Sequence, residues 1–246
     1  FSGNISRDSA IQFFKSYFAD WKVKEKTIID SAETIKLLRK PGIFAVERPV
    51  TQANISLNQP FLKRPHPDYY PAALASFILG GGGFSSRLTT RIRSDEGLAY
   101  SVYSSVGNSY FDTTLTTIAL QTKAEQAPYA IRLIQEEIQK LATEGPTEQE
   151  LLLAKKTLIE SLPSLFATPE DIVVNFAEDE FTGKKTDHYL EYVREIESVT
   201  IEQIKAMIAK YFDFNKMTIS IVGPNDSWKG LENVVILPLD SLEIRP

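Results

Sequence analysis

The sequence predicts an α+β fold, an antiparallel-rich sheet backed by helices, on three observations. Residues 43–61 and 98–122 hold runs of β-branched and aromatic residues with alternating character, bounded by Gly, Pro and Asn. Residues 125–212 are mostly of helical type, and three helix starts there carry a Thr cap. A further strand-like run, "KMTISIVGP" (216–224), follows the helices. Strands grouped first and helices grouped after them point to α+β, not to a regular strand–helix alternation.

Taken in order, "ISRDSAIQFFKSYFADW" predicts a helix, since Ile11, Phe14, Tyr17, Phe18 and Trp21 recur at three- and four-residue steps. The charged stretch "KVKEKTIIDSAETIKLLRKPG" has weak patterning and reads as a linker or irregular connection. "IFAVERPVTQANISLNQPF" (43–61) gives two strands, and Pro60 to Pro67 reads as loop. Asp68 to Leu79 predicts a helix that stops at "GGGG" (80–83). A second helix is expected over 84–96, with Ser85 or Ser86 as N-cap and Gly97 as C-cap. Phe84, Leu88 and Ile92, four apart, form its expected buried stripe. "LAYSVYSSV" and "YFDTTLTTIALQT" then predict two antiparallel strands joined around Asn108.

In 125–143, Ala127, Ile131, Ile134, Ile138 and Leu141 form one apolar face, and Gly145-Pro146 ends the helix. Thr147-x-x-Glu150 is a capping box for the next helix. Thr168-Pro169 opens another, ended by Gly183, and Thr200-x-x-Gln203 caps one that runs to about Phe212. "NVVIL" (233–237) is a candidate last strand. The opening "FSGNIS" echoes "TISIVGPND", a strand with a glycine and a polar turn, so Phe1 reads as the middle of a strand cut open and the chain as a piece of something longer.

Composition narrows the chemistry. Of the 246 residues, 43% are hydrophobic, enough for a substantial core, and the net charge of −5 gives no basic footprint for nucleic acid. No apolar run approaches the roughly 20 residues of a membrane span. The absence of cysteine removes thiol catalysis, disulfides and thiolate-held zinc. Only His66 and His188 are histidines, they are far apart, and "HYLEY" has Tyr192 where a second metal-type His would stand. No metal ligands are therefore expected in this chain.

Two features remain as candidate sites. The glycine run has no following Lys for a phosphate loop and no preceding strand for a dinucleotide fingerprint, so nucleotide binding is a weak reading. It fits either a helix end that allows close packing or a loop that touches substrate backbone. The other feature is "SRLTTRIRSDEGLAYSVYSS", in which Arg93 and Tyr100 lie on either side of Gly97. Arg93 in a last helical turn and Tyr100 opening a strand both have ordinary structural explanations. If the turn brings them to one wall, a guanidinium fork and a phenol can hold a peptide carbonyl or carboxylate and stabilise an oxyanion. Arg87 and Arg91 are expected to be solvated or paired to acids such as Asp95, and Glu178, Asp179 and Glu180 to face solvent.

The stretch "PDYYPAALASFILGGGGFSSRLTTRIRSDEGLAYSVYSS" resembles the signature of the second homologous domain of M16 peptidases, the insulinase, pitrilysin and mitochondrial processing peptidase family. The similarity runs from about Gly42 to Pro224, and "FSGNISRDSAIQFFKSYFADW" is similar to the last strand and helix of a preceding M16 domain. The resemblance implies the LuxS/MPP-like metallohydrolase fold. It divides the chain into the tail of a preceding domain (1–26), a linker (27–41) and a C-terminal, substrate-binding domain (42–246). It implies zinc in the complete enzyme, bound on an H-x-x-E-H motif that this sequence lacks, with a zinc-bound water and a glutamate base doing the hydrolysis there. The motif would sit on an upstream domain or a partner subunit. Arg93 and Tyr100 match the family's substrate and transition-state contacts. Gly81, Gly82, Gly83 and Phe84 are expected to line the peptide beside them. A homodimer is also compatible, and of bacterial compartments the periplasm is favoured over the cytoplasm. The rival implication is a non-catalytic structural or adaptor subunit.

Overall fold

The computed structural model describes residues 1–22, 40–185 and 187–238. Most of the expected linker, 27–41, lies outside these described residues. A six-stranded open sheet carries helices on one face, which is the expected α+β architecture. Its strands are β1 (Gly42–Glu47), β2 (Gln52–Phe61), β3 (Ala99–Val106), β4 (Thr114–Lys123), β5 (Thr218–Gly223) and β6 (Val234–Ile236), in the order β3-β4-β2-β5-β1-β6. The β3–β4, β4–β2 and β2–β5 pairs are antiparallel, whereas β1 runs parallel to both β5 and β6.

The helices are α1 (Arg7–Phe18), α2 (Tyr69–Ser76), α3 (Ala127–Glu144), α4 (Glu148–Glu160), α5 (Pro169–Phe181), α6 (His188–Ser198) and α7 (Ile201–Tyr211). Alternation in β2 sends Ala53, Ile55, Leu57 and Phe61 into the core, where α2, α3 and α7 cover them. Asn54, Ser56 and Asn58 face the other way, and Asn58 there accepts from Thr117 and donates to Ser56. The apolar face expected on α3 is buried at all five positions. The Thr147, Thr168 and Thr200 capping boxes all form, the second with Asp171 as the reciprocal acid.

Other expectations are corrected. Pro60 lies inside β2, not in a loop. It is tolerated because the β2–β5 pairing stops at Asn58, so beyond that point β2 has a neighbour on one side only. No strand forms at Phe1–Ser6, where no partner strand is present among the described residues. α1 itself forms as expected, with Phe13, Phe14, Tyr17, Phe18 and Trp21 exposed and in contact with one another. The segment 84–96 is not one α-helix but a 3₁₀ turn at Gly83–Ser85 followed by a π-helical stretch, Thr89–Asp95. The wide turn also changes the pairing of Arg91, which meets Glu96 at 3.0 Å instead of Asp95, because a π turn stacks residues five apart. Lastly, Asp179 is buried, not solvent-facing: it takes Lys184 Nζ and Tyr189 OH at 2.9 Å each and ties α5 to α6. Burial first, and then this bond, push the Tyr189 phenol up to about 12.

Candidate functional site

The corner between the π-helical stretch and β3 is built by local chemistry. Gly97 adopts φ +63°, a conformation costly for other residues, and reverses the chain. Leu98 N–H then donates to Ile92 carbonyl at 2.9 Å, and both side chains are buried. Thr122 Oγ1 donates to Leu98 carbonyl at 2.7 Å, which fixes the start of β3 on β4.

Strict alternation would put Tyr100 on the same face as Leu98 and Val102, inside the core. The strand avoids this with a bulge. Ala99 pairs with Thr122 and Val102 with Leu120, so β3 spends one more residue than β4 over this interval. Tyr100 and Ser101 are therefore both exposed while Ala99 and Val102 stay buried. Bulges re-aim side chains in this way.

The result is a stack. The Arg93 guanidinium lies 4.9 Å from the Tyr100 ring centre and 4.5 Å from that of Phe84. Each contact is an exposed cation–π interaction, worth about 0.5–1 kcal/mol. Tyr100 is 84% exposed and Phe84 74% exposed. Among the described residues no acid forms an ion pair with Arg93. The structure thus brings together three of the six candidates, Phe84, Arg93 and Tyr100. It also corrects the expected buried stripe: Leu88 and Ile92 are fully buried, but Phe84 points out and holds the arginine.

The glycine run leads into this stack. α2 passes into a first π-helical stretch, Phe77–Gly81, that lies against β3. A Cβ on Gly80 would stand 2.7 Å from Ser104 N, so this glycine lets helix and strand backbones touch. The close approach that the glycine run allows is thus to a strand. Gly81 and Gly83 are exposed and Gly82 is half-buried, in the turn just before Phe84. Ser86 occupies the extended position before the second helix, but its hydroxyl reaches Gly83 carbonyl and Thr89 Oγ1 and caps no N–H.

Arg87, on the same helical segment, does something different. Its Nε and Nη2 reach the two Glu150 oxygens at 2.7 and 2.8 Å, and Nη2 also donates to Gly145 carbonyl. Burial works to raise the Glu150 carboxyl, but bonds from Arg87 and from the Thr147 N–H outweigh it and hold it at about 2.

The two histidines do not form a metal centre. His66 Nδ1 accepts from Asp68 N–H, and His188 Nδ1 bonds Lys185 carbonyl. Among the described residues no three His, Cys, Asp or Glu side chains converge as metal ligands do. Nor is any described helix long and apolar enough to cross a membrane.

Comparison with known proteins places this fold. The chain belongs to the M16 peptidase family: the profile of the peptidase M16 inactive domain matches residues 1–158. A Bacillus subtilis relative named as an uncharacterized zinc protease, YmxG, is 32% identical over 91% of this chain and 53% of its own length. A Helicobacter pylori relative, named a non-peptidase homolog, is 30% identical over 70% of this chain and 39% of its own. Among solved structures, the peptidase M16 inactive domain from Pseudomonas fluorescens is similar with a TM-score of 0.73 and 30% identity, over 90% of this chain and 52% of that one. The chain thus spans about half the length of the relatives it matches.

Proposed function

We propose that this chain is the substrate-binding half of an M16-type zinc metallopeptidase that acts on peptides or unfolded segments. The observation that carries the reading is the Phe84–Arg93–Tyr100 stack: a guanidinium without an acid partner among the described residues, held at the surface by the Phe84 ring and the exposed Tyr100 phenol. Such a group donates to a peptide carbonyl and holds charge that develops on it. Gly81, Gly82 and Gly83 would give the peptide backbone room beside it. The metal and the general base belong to an H-x-x-E-H domain, upstream in the same polypeptide or on a partner chain. The region 1–26 would be the tail of such an upstream domain, and 42–246 the substrate-binding domain.

The test is reconstitution. The chain is assembled with an H-x-x-E-H domain, and hydrolysis of an unstructured peptide is followed. Zinc-dependent cleavage that falls in the Arg93→Ala and Tyr100→Phe variants supports the reading. Cleavage unchanged in both variants defeats the assignment of the pair.

A second reading has one observation in its favour, the Helicobacter pylori relative named a non-peptidase homolog. On that reading the chain is a structural or adaptor subunit. Reconstitution would then yield a stable complex without peptide hydrolysis.

A further inference from the structure

The sequence draws no attention to Arg64, which falls in a loop, yet two separate segments close around it, the start of α2 and the connection between β3 and β4. Its guanidinium lies 3.8 Å from the Tyr69 ring centre, 4.8 Å from Tyr110 and 5.4 Å from Tyr70. Its Nη1 donates to Asn108 Oδ1 at 2.9 Å and its Nη2 to Tyr70 OH at 3.1 Å. No carboxylate pairs with it among the described residues. A half-buried cation without a counter-charge is costly, and each Nη retains a second hydrogen.

Beside it opens a cleft of about 750 Å³, bounded by the loop at Arg64–Pro67, by Tyr110, and at the α5–α6 corner by Thr182–Lys185 and His188. That size suits a small ligand. Lys184 on this wall is spent on Asp179, while Lys185 adds an exposed cation. Glu191 and Glu195 line the same cleft from α6. They oppose a dianion more than a single negative charge. Next to the lining residues Tyr110 and Thr182, the exposed rings of Phe111 and Phe181 meet at 5.1 Å and give the rim an apolar patch. Tyr110 sits at the far end of β3 from Tyr100, so the cleft and the Arg93 stack are separate places.

We propose that this cleft binds a carboxylate, held by the free Arg64 N–H groups, with the organic part of the ligand against the tyrosines and the Phe111–Phe181 rim. The carboxylate is either a peptide C-terminus or that of a small organic acid. The inference is independent of the proposed peptidase role.

An NMR titration of the 246-residue chain tests it, read at Arg64 Nε–H and at Tyr110, at constant ionic strength. The probes are acetate, a short peptide with a free C-terminus, the same peptide amidated, and phosphate. Saturable shifts are expected with the free-acid peptide, weakened about ten-fold by amidation and by Arg64→Gln. Lys185→Gln, at an exposed position, should weaken binding about two-fold with the fold intact. Peptide bound more tightly than acetate identifies a chain terminus, and equal affinities identify a free acid. Either result requires that amidation weaken binding to that extent. Amide binding equal to acid binding overturns the proposal, as does phosphate binding more tightly than both carboxylates.

Discussion

Arg87 and Arg93 stand six residues apart on one helical segment and meet opposite fates. Arg87 is closed in. It has a carboxylate on its fork, a carbonyl behind it, and 14% side-chain exposure, with only Nη1 buried and unpartnered. Arg93 is open, with two exposed rings and no acid. A charge with its partner built in has its interactions filled by the fold. A charge held in place by ring faces keeps its donors for something else. Position in the helix does not separate the two, but the neighbours do.

The sharpest way to break this contrast is Arg87→Ala. It strands the Glu150 carboxylate and removes a link between the corner and the start of α4. The expected loss is about 3 kcal/mol, read by urea denaturation. A loss under about 0.5 kcal/mol would make Arg87 as free as Arg93. Next is Arg93→Ala, which should lower peptide turnover in the assembled enzyme about 100-fold, some 2.7 kcal/mol. Its loss of unfolding free energy should stay within the roughly 1–2 kcal/mol of its two ring contacts, below that of Arg87→Ala.

Acid sharpens the same contrast. The Glu150 carboxyl is held at about 2 in the folded chain against an ordinary 4.5, so its stabilisation is complete above 4.5 and is lost as pH falls toward 2. Allowing for its partial exposure, this amounts to about 1–2 kcal/mol. The Arg87→Ala variant should lose most of that slope in stability against pH, while Arg93→Ala keeps it. Gly97→Ala should cost about 1 kcal/mol, since the φ of +63° is unfavourable for alanine, and should spread Arg93 from Tyr100. The smallest effect is expected of Phe84→Leu. It removes one ring contact of about 0.5–1 kcal/mol, and turnover should fall only a few-fold with no change in melting.

What could be read ahead of the structure follows from range. The Thr caps at Thr147, Thr168 and Thr200 are signals within four residues, and all three form. The α3 face and the strands over 42–61 rest on periodicity and were equally legible. The turn at Gly97 between Arg93 and Tyr100 was also within reach, but not the bulge that sends the Tyr100 ring outward to meet the arginine. The π turns and the bulge were not legible, since both answer to packing against β4 and the core. That is why Phe84 read as core and Arg91 as a partner of Asp95. The burial of Asp179 depends on Lys184, in the connection after α5, and Tyr189, on α6, closing over it. The Arg64 cleft draws on residues from 64 to 195, and no local pattern announces such a gathering.

The most direct measurement sets Arg87→Ala and Arg93→Ala side by side on two axes, unfolding free energy of the chain and peptide turnover after assembly with an H-x-x-E-H domain. The account predicts that Arg87→Ala loses stability, with the turnover of its folded fraction largely kept, and that Arg93→Ala loses turnover far beyond its smaller loss of stability. If Arg93→Ala retains full turnover, or loses it only in proportion to a fall in stability, Arg93 is structural and the central claim is wrong.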